Sequence, residues 1–197
     1  MVSVSSYNNI IIPCARISPA ARQYLNTETP LLRSMADIMI RKRKRLRTKE
    51  VKVYSEELGS KLGIEAFGPD DIVDIAESTD FNVLFVKGEI LGMIYDGKTF
   101  LTVRGLLKYR PERYFVTVDM GAVPFVTNGA DIMGPGIMDA DETIQAGDMV
   151  WIRDMKNLVP LAVGVALVSG TELKSKAKGK VIKNLHNVGD KLWKAGE

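Results

Sequence analysis

Asp119-Met120-Gly121-Ala122-Val123-Pro124-Phe125-Val126-Thr127-Asn128-Gly129-Ala130-Asp131-Ile132-Met133-Gly134-Pro135-Gly136-Ile137 is the stretch on which the reading of this chain turns. Glycines and small residues recur at short intervals around a few apolar anchors. Residues 121–128 predict a short helix closed by Gly129. Pro124 is tolerated there because the first helical turn needs no intrahelical N–H. Asp119 is the last polar residue before the helix and reads as its cap. Residues 130–133 predict a strand, and Gly134-Pro135-Gly136 forces a bend. Phe125 and Met133 read as core anchors. No nucleophile, general base or metal-ligand set accompanies the stretch. A segment of this kind presents backbone to a partner, which points to a binding module rather than an enzyme.

Downstream, the pattern is that of a small barrel built from short strands with glycine-rich connections. Residues 114–118 are rich in β-branched and aromatic side chains and open it as a strand. Residues 139–142 read as a polar loop. Residues 149–153 and 161–169 read as paired strands, turning at Lys156-Asn157. Residues 179–185 form a last strand and residues 190–194 a closing helical turn. His186, the only histidine, has no nucleophile motif beside it and reads as structural, because general acid–base work would need a matched partner.

Upstream, residues 55–63 continue a helix that stops at glycine. Residues 82–86, 90–95 and 100–103 read as three strands. Lys87-Gly88-Glu89 marks a tight turn between the first two, and Asp96-Gly97 is a favoured hairpin turn. A short helix over 105–109 ends at Pro111. This is a small α+β unit with an antiparallel sheet, bounded near residues 111–113. Before it stands Arg41-Lys42-Arg43-Lys44-Arg45-Leu46-Arg47. Such a block is either a nucleic-acid patch, with Arg41, Lys42, Arg43, Lys44, Arg45 and Arg47 as auxiliary phosphate contacts, or a solvated charged helix start. Residues 31–40 could form a helix. Met39 is an alternative start, with the earlier residues an extension. The expected division is therefore an extension over 1–40, an α+β domain over 41–112 and a mostly-β domain over 113–197.

Composition narrows the classes. The chain has 197 residues, a net charge of +3 and 46% hydrophobic residues, enough for one large or two small packed units. One cysteine, Cys14, permits no intrachain disulfide and fits a reducing compartment. The longest apolar run, residues 158–168, contains Pro160 and Gly164 and reads as sheet, not as a span of about 20 residues. A soluble cytoplasmic protein without cofactor or metal is expected. Lysines crowd residues 174–194 and, with the 41–52 block, could form one basic face.

Residues Gly121-Ala122, Phe125-Val126, Gly129-Ala130, Ile132-Met133 and Pro135-Gly136-Ile137 resemble the signature of the PUA domain. Gly164, Ala166, Ser169-Gly170, Gly179-Lys180, Asn184, His186, Asp190 and Leu192-Trp193 agree with its second half. The match runs from 114 to 193. Residues 45–109 resemble the pre-PUA domain of a narrower group. That group comprises stand-alone archaeal PUA proteins, the malignant T-cell-amplified sequence protein and the N-terminal part of eukaryotic translation initiation factor 2D (ligatin). The resemblance implies an α+β pre-PUA domain followed by a six-stranded PUA pseudo-barrel.

It also implies a non-catalytic RNA-binding protein of translation that contacts tRNA, rRNA or the small ribosomal subunit, with or without a translation-factor partner and with no membrane. The implied contact surface comprises Met120, Gly121, Ala122, Val126, Asn128, Gly129, Ala130, Met133, Pro135 and Gly136, with Lys180, Lys183 and His186 from the last strand. Glycines there either let a sugar–phosphate backbone approach or satisfy turns. The alternatives are an accessory of RNA-modification machinery, such as a pseudouridine synthase or tRNA transglycosylase, and a protein-interaction module whose basic face is merely solvated.

Overall fold

A computed structural model describes residues 38–68 and 70–196. Residues 1–37, and with them Cys14, most of the extension and most of the helix suggested over 31–40, lie outside them.

The basic block is a strand, β1 (Arg41–Arg45), and not a helix start. Its side chains are uniformly long and charged, so it has no apolar stripe with which to dock a helix. Extended, it pairs antiparallel with β2 (Val73–Glu77), setting Arg41 opposite Glu77 and Arg45 opposite Asp74. Charged side chains also suit a sheet edge, where they oppose further strand pairing. Strand β2, which carries Asp74 and Glu77, is therefore the electrostatic partner of β1. Between β1 and β2, helix α1 (Thr48–Leu62) buries Val51, Leu58 and Leu62 along one stripe. It ends where Gly63 adopts φ 70° and its N–H donates to the Gly59 carbonyl at 2.9 Å.

The meander continues with β3 (Asn82–Val86), β4 (Glu89–Tyr95) and β5 (Lys98–Leu101), giving the order β1-β2-β3-β4-β5. Asp96 and Gly97 both take positive φ, the backbone that a two-residue hairpin needs. Helix α2 (Val103–Tyr109) is capped by Thr102, whose Oγ1 accepts from the Gly105 N–H at 3.2 Å, and stops before Pro111.

After Pro111 the second sheet is built from β6 (Phe115–Val118), β7 (Ile132–Met133), β8 (Ile137–Ala140), β9 (Met149–Asp154), β10 (Pro160–Ala166) and β11 (Lys180–Asn187). Its order is β7-β11-β10-β9-β6-β8, with β6 and β9 parallel and every other pair antiparallel. This is the expected pseudo-barrel, filled by Val116, Val118, Val150, Ile152, Ala162 and Ile182. Helix α3 (Val123–Thr127) follows β6, and one 3₁₀ turn (Gly134–Gly136) makes the bend between β7 and β8.

Two local readings change. Asp139 and Ala140 belong to β8 rather than to a loop, because Ile137 and Ala140 reach the core while β8 pairs with β6. Helix α4 (Gly170–Lys174) was not foreseen, although Ser169 and Glu172 form the reciprocal cap that announces a helix start. Helix α5 (Lys191–Ala195) closes the chain with Asp190 as its N-cap.

One apolar cluster unites the sheets. Leu58, Leu84, Met93, Phe100 and Leu106 from the first half pack with Met149, Trp151 and Val163 from β9 and β10. The Trp151 Nε1–H donates to the Arg113 carbonyl at 2.7 Å, so this buried indole is satisfied. Among the described residues, no helix is long and apolar enough to cross a membrane.

Candidate nucleic-acid interface

The surface is organised by α3 and its approach. The Asp119 N–H donates to the Gly136 carbonyl at 2.9 Å, and Asp119 Oδ1 accepts from the Ala122 N–H at 2.8 Å. Asp119 therefore fixes the turn that launches α3. The helix has five residues and only one narrow face against the barrel. Val126 takes that face and is buried, while Phe125 points away and is 68% exposed. In β7 the two-residue alternation sends Ile132 inward and leaves Met133 51% exposed. Phe125 and Met133 are thus surface residues, not the core anchors expected from their apolar character.

Behind this surface, β11 holds the loop 128–131 through main-chain contacts. Asn184 Nδ2 donates to the carbonyls of Val126 at 3.2 Å and Ala130 at 3.1 Å, and its backbone N–H donates to Asp131 Oδ1 at 2.9 Å. Asn187 Nδ2 donates to the Thr127 carbonyl at 2.7 Å. Asn184 and Asn187 were not among the expected site residues. Their signal is two carboxamides, three positions apart, near the end of the last strand. His186 lies between them, buried, with Nδ1 2.7 Å from Asp190 Oδ2. Burial alone would raise the Asp190 carboxyl, but its bonds to His186 and to the Trp193 and Asn187 amides hold it below the usual carboxylate range.

The expected residues therefore sort by depth. Met120, Gly121, Asn128, Gly129, Ala130, Met133, Pro135, Lys180 and Lys183 are exposed, and Ala122 and Gly136 are half-buried. Val126 and His186 are buried and form the support beneath the surface, where no ligand reaches them. Gly129 has φ 84°, so its place in the turn by itself requires glycine.

Two lysines from β11 flank the exposed patch. Lys180 lies opposite Met133 in the β7–β11 pairing, and its Nζ is 3.1 Å from Asp131 Oδ2. Burial would raise the Asp131 carboxyl, but the Asn184 amide and Lys180 outweigh it and hold it low. Lys183 Nζ donates to the Tyr95 hydroxyl at 3.3 Å, reaching across to the first sheet. Asp131 offsets part of the lysine charge, and Lys183 Nζ also lies 5.7 Å from the Tyr95 ring centroid.

The basic block of β1 sits on the edge of the other sheet and is partly neutralised. Arg43 and Arg45 both engage the Asp74 carboxylate, and Lys42 is 2.9 Å from Glu77. Arg43 also lies 4.0 Å over the Phe85 ring. Arg41, Lys44 and Arg47 are exposed. Among the described residues, no three His, Cys, Asp or Glu side chains come together to hold a metal ion.

Against this geometry, the comparisons with known proteins are specific. A family model described as the PUA domain matches residues 114–188. An uncharacterized protein of Methanocaldococcus jannaschii is 44% identical over 162 residues, 78% of this chain and 96% of that protein. A Malignant T-cell-amplified sequence 1 homolog of Drosophila melanogaster is 34% identical over 64% of this chain and 72% of that protein. Translation machinery-associated protein 20 of Schizosaccharomyces pombe is 33% identical over 55% of this chain, and the match spans only 63% of that relative. Among solved structures, a hypothetical protein from Pyrococcus horikoshii OT3 superposes with a TM-score of 0.71 at 34% identity, over 79% of this chain and 100% of that one. A conserved PUA domain protein from Thermoplasma acidophilum superposes with a TM-score of 0.67 at 28% identity, with the same two coverages. With the signature in place over α3 and β7, and with relatives matched over 96%, 77% and 72% of their own length, the chain belongs to the family of PUA-domain proteins that includes Malignant T-cell-amplified sequence 1 and Translation machinery-associated protein 20.

Proposed function

We propose that this protein binds structured RNA in translation, without catalysing a reaction, through the surface formed by α3, the 128–130 loop, β7 and the β11 lysines. One observation carries the reading: an exposed phenylalanine and methionine stand beside exposed backbone and two lysines, on a loop pinned from behind by asparagines. Phe125 offers a face on which a base can stack. Lys180 and Lys183 supply phosphate contact and the salt dependence that accompanies it. The pinned loop gives the ligand a preorganised edge, so little ordering entropy opposes binding. Structured RNA is read largely by shape and backbone contacts, which suits a surface with one aromatic ring and few charges. The family's link to the translation machinery supports tRNA or the small ribosomal subunit as the RNA.

Fluorescence anisotropy with tRNA and sedimentation with small ribosomal subunits test this. Lys180→Glu with Lys183→Glu is expected to weaken binding at least about tenfold and to make the log–log salt slope shallower by roughly 1–2 units. Phe125→Ala is expected to weaken binding by about 1–3 kcal/mol with an unchanged melting curve. Unaltered affinity in both variants would place the RNA elsewhere.

A further inference from the structure

The turn between β9 and β10 carries a bulky residue in an unfavourable conformation. Leu158 has φ 57°, a region where the Cβ of an L residue crowds its own backbone and where glycine or asparagine is the usual occupant. Its side chain is 52% exposed, so burial does not account for leucine there. The conformation is imposed from inside. Asp154 is buried, and its carboxylate accepts the backbone N–H groups of Lys156, Asn157 and Val159, while the Leu158 N–H donates to the Asp154 carbonyl at 3.2 Å. Arg110, just past α2, is another of the seven described non-glycine residues at positive φ, with 48°. Both line one groove of about 330 Å³ between α2 and the β9–β10 turn. Strain of this kind persists where surrounding structure enforces it, and it concentrates at binding surfaces.

The groove joins two chemistries. Leu107, Leu158 and Val159 expose aliphatic surface to it. Arg110 and Arg153 bring positive charge. The Arg153 guanidinium lies 3.7 Å over the Phe115 ring, with its Nε–H donating to Thr117 Oγ1 at 2.9 Å. Among the described residues, no carboxylate pairs with either guanidinium. The field of Asp139 reaches Arg153, and Asp154 beneath the turn is already engaged by amides. A nucleic acid would use an accessible stacking ring or a lysine track, but the one aromatic ring lining this groove, Trp151, is buried, and its exposed apolar walls are the aliphatic Leu107, Leu158 and Val159. A carboxylate matches a preset guanidinium in a bidentate manner, and an aliphatic side chain matches the walls.

We infer that this groove docks a partner protein through an acidic–apolar peptide segment, a leucine-type side chain seated between Leu107, Leu158 and Val159 and flanking carboxylates on Arg110 and Arg153. No residue lining it belongs to the α3 surface, so the two sites are separately testable.

The test is an NMR titration of the ¹⁵N-labelled full chain with the synthetic peptide acetyl-Asp-Glu-Leu-Leu-Asp-Glu-amide. Two control peptides replace the acids by lysine or the leucines by serine. Saturable shifts at the amides of Leu107, Arg110, Leu158 and Val159 are expected, with affinity about tenfold weaker or worse for each control. Leu158→Gly is the diagnostic variant. It relieves the backbone and removes the contact, so its melting temperature should rise while peptide affinity falls about tenfold. Three results would each overturn the inference: those amides unmoved by the peptide, equal shifts from the lysine control, or undiminished affinity in Leu158→Gly. So would an oligouridine RNA that moves the same amides when the peptide does not.

Discussion

A Cβ placed on Gly134 would lie 1.6 Å from the carbonyl oxygen of Ala177, and the Gly134 N–H already donates to the Gly179 carbonyl at 3.0 Å. The space that a side chain would occupy is filled by the protein's own backbone, between α4 and β11. From the sequence, Gly134 reads equally as groove or as turn. The structure assigns it to close packing. Gly134→Ala is expected to destabilise the protein by about 2 kcal/mol or more, because the obstacle is main chain and cannot swing aside. Urea denaturation measures this, and wild-type stability would show that the strand edge moves freely. Phe125 teaches the converse lesson. Its apolar character suggested burial, but hydrophobicity alone does not determine which way a five-residue helix turns. Only the barrel wall beneath Val126 settles that.

At the scale of elements, β1 and β2 are held together by charge as well as by their ladder. Arg43 meets Asp74 Oδ2 from Nε at 2.9 Å and from Nη2 at 2.7 Å, and Arg45 takes the other carboxylate oxygen. The hydrogen bond from Arg45 comes first among the influences on Asp74, and with Arg43 it holds the carboxyl below its usual value against the effect of burial. A carboxyl whose folded pKa is depressed stabilises the fold above its unfolded value, near 3.9. That contribution is lost as pH falls through the folded value. Asp74→Asn is therefore expected to cost about 1 kcal/mol at neutral pH, the half-exposed guanidiniums being screened by water. The variant should also show a flatter loss of stability below pH 4 than wild type, measured by denaturation at stepped pH. Helix α1 was legible from its stop at Gly63, and β3 and β4 from short apolar runs bounded by turns at Gly88 and Gly97. Strand β1 was not, because a run of cations has no period from which a strand could be distinguished from a helix.

At the scale of the molecule, Trp151 links the two sheets. It lies in the cluster that contains Leu84, Met93 and Phe100, donates to the Arg113 carbonyl, and meets the Phe115 ring edge-on at 6.4 Å. Trp151→Ala is expected to cost about 3–5 kcal/mol. Both sheets should then melt together at a lower temperature, seen as one transition by far- and near-ultraviolet circular dichroism. Two separated transitions would mean that the halves are held by independent cores.

Strands β3, β4 and β5, the turns at Gly63, Gly97 and Gly129 and the PUA signature were determined by the sequence itself. Those features depend on local backbone freedom and on side-chain period, which neighbouring residues carry. The exposure of Phe125 and Met133, the burial of His186, the pairing of Arg43 and Arg45 with the one carboxylate of Asp74 and the groove beside Leu158 were decided only by the tertiary structure. Each of these depends on what lies opposite a residue in space, and chain-distant partners such as Asp74 and Arg43 share no local pattern that could announce their meeting.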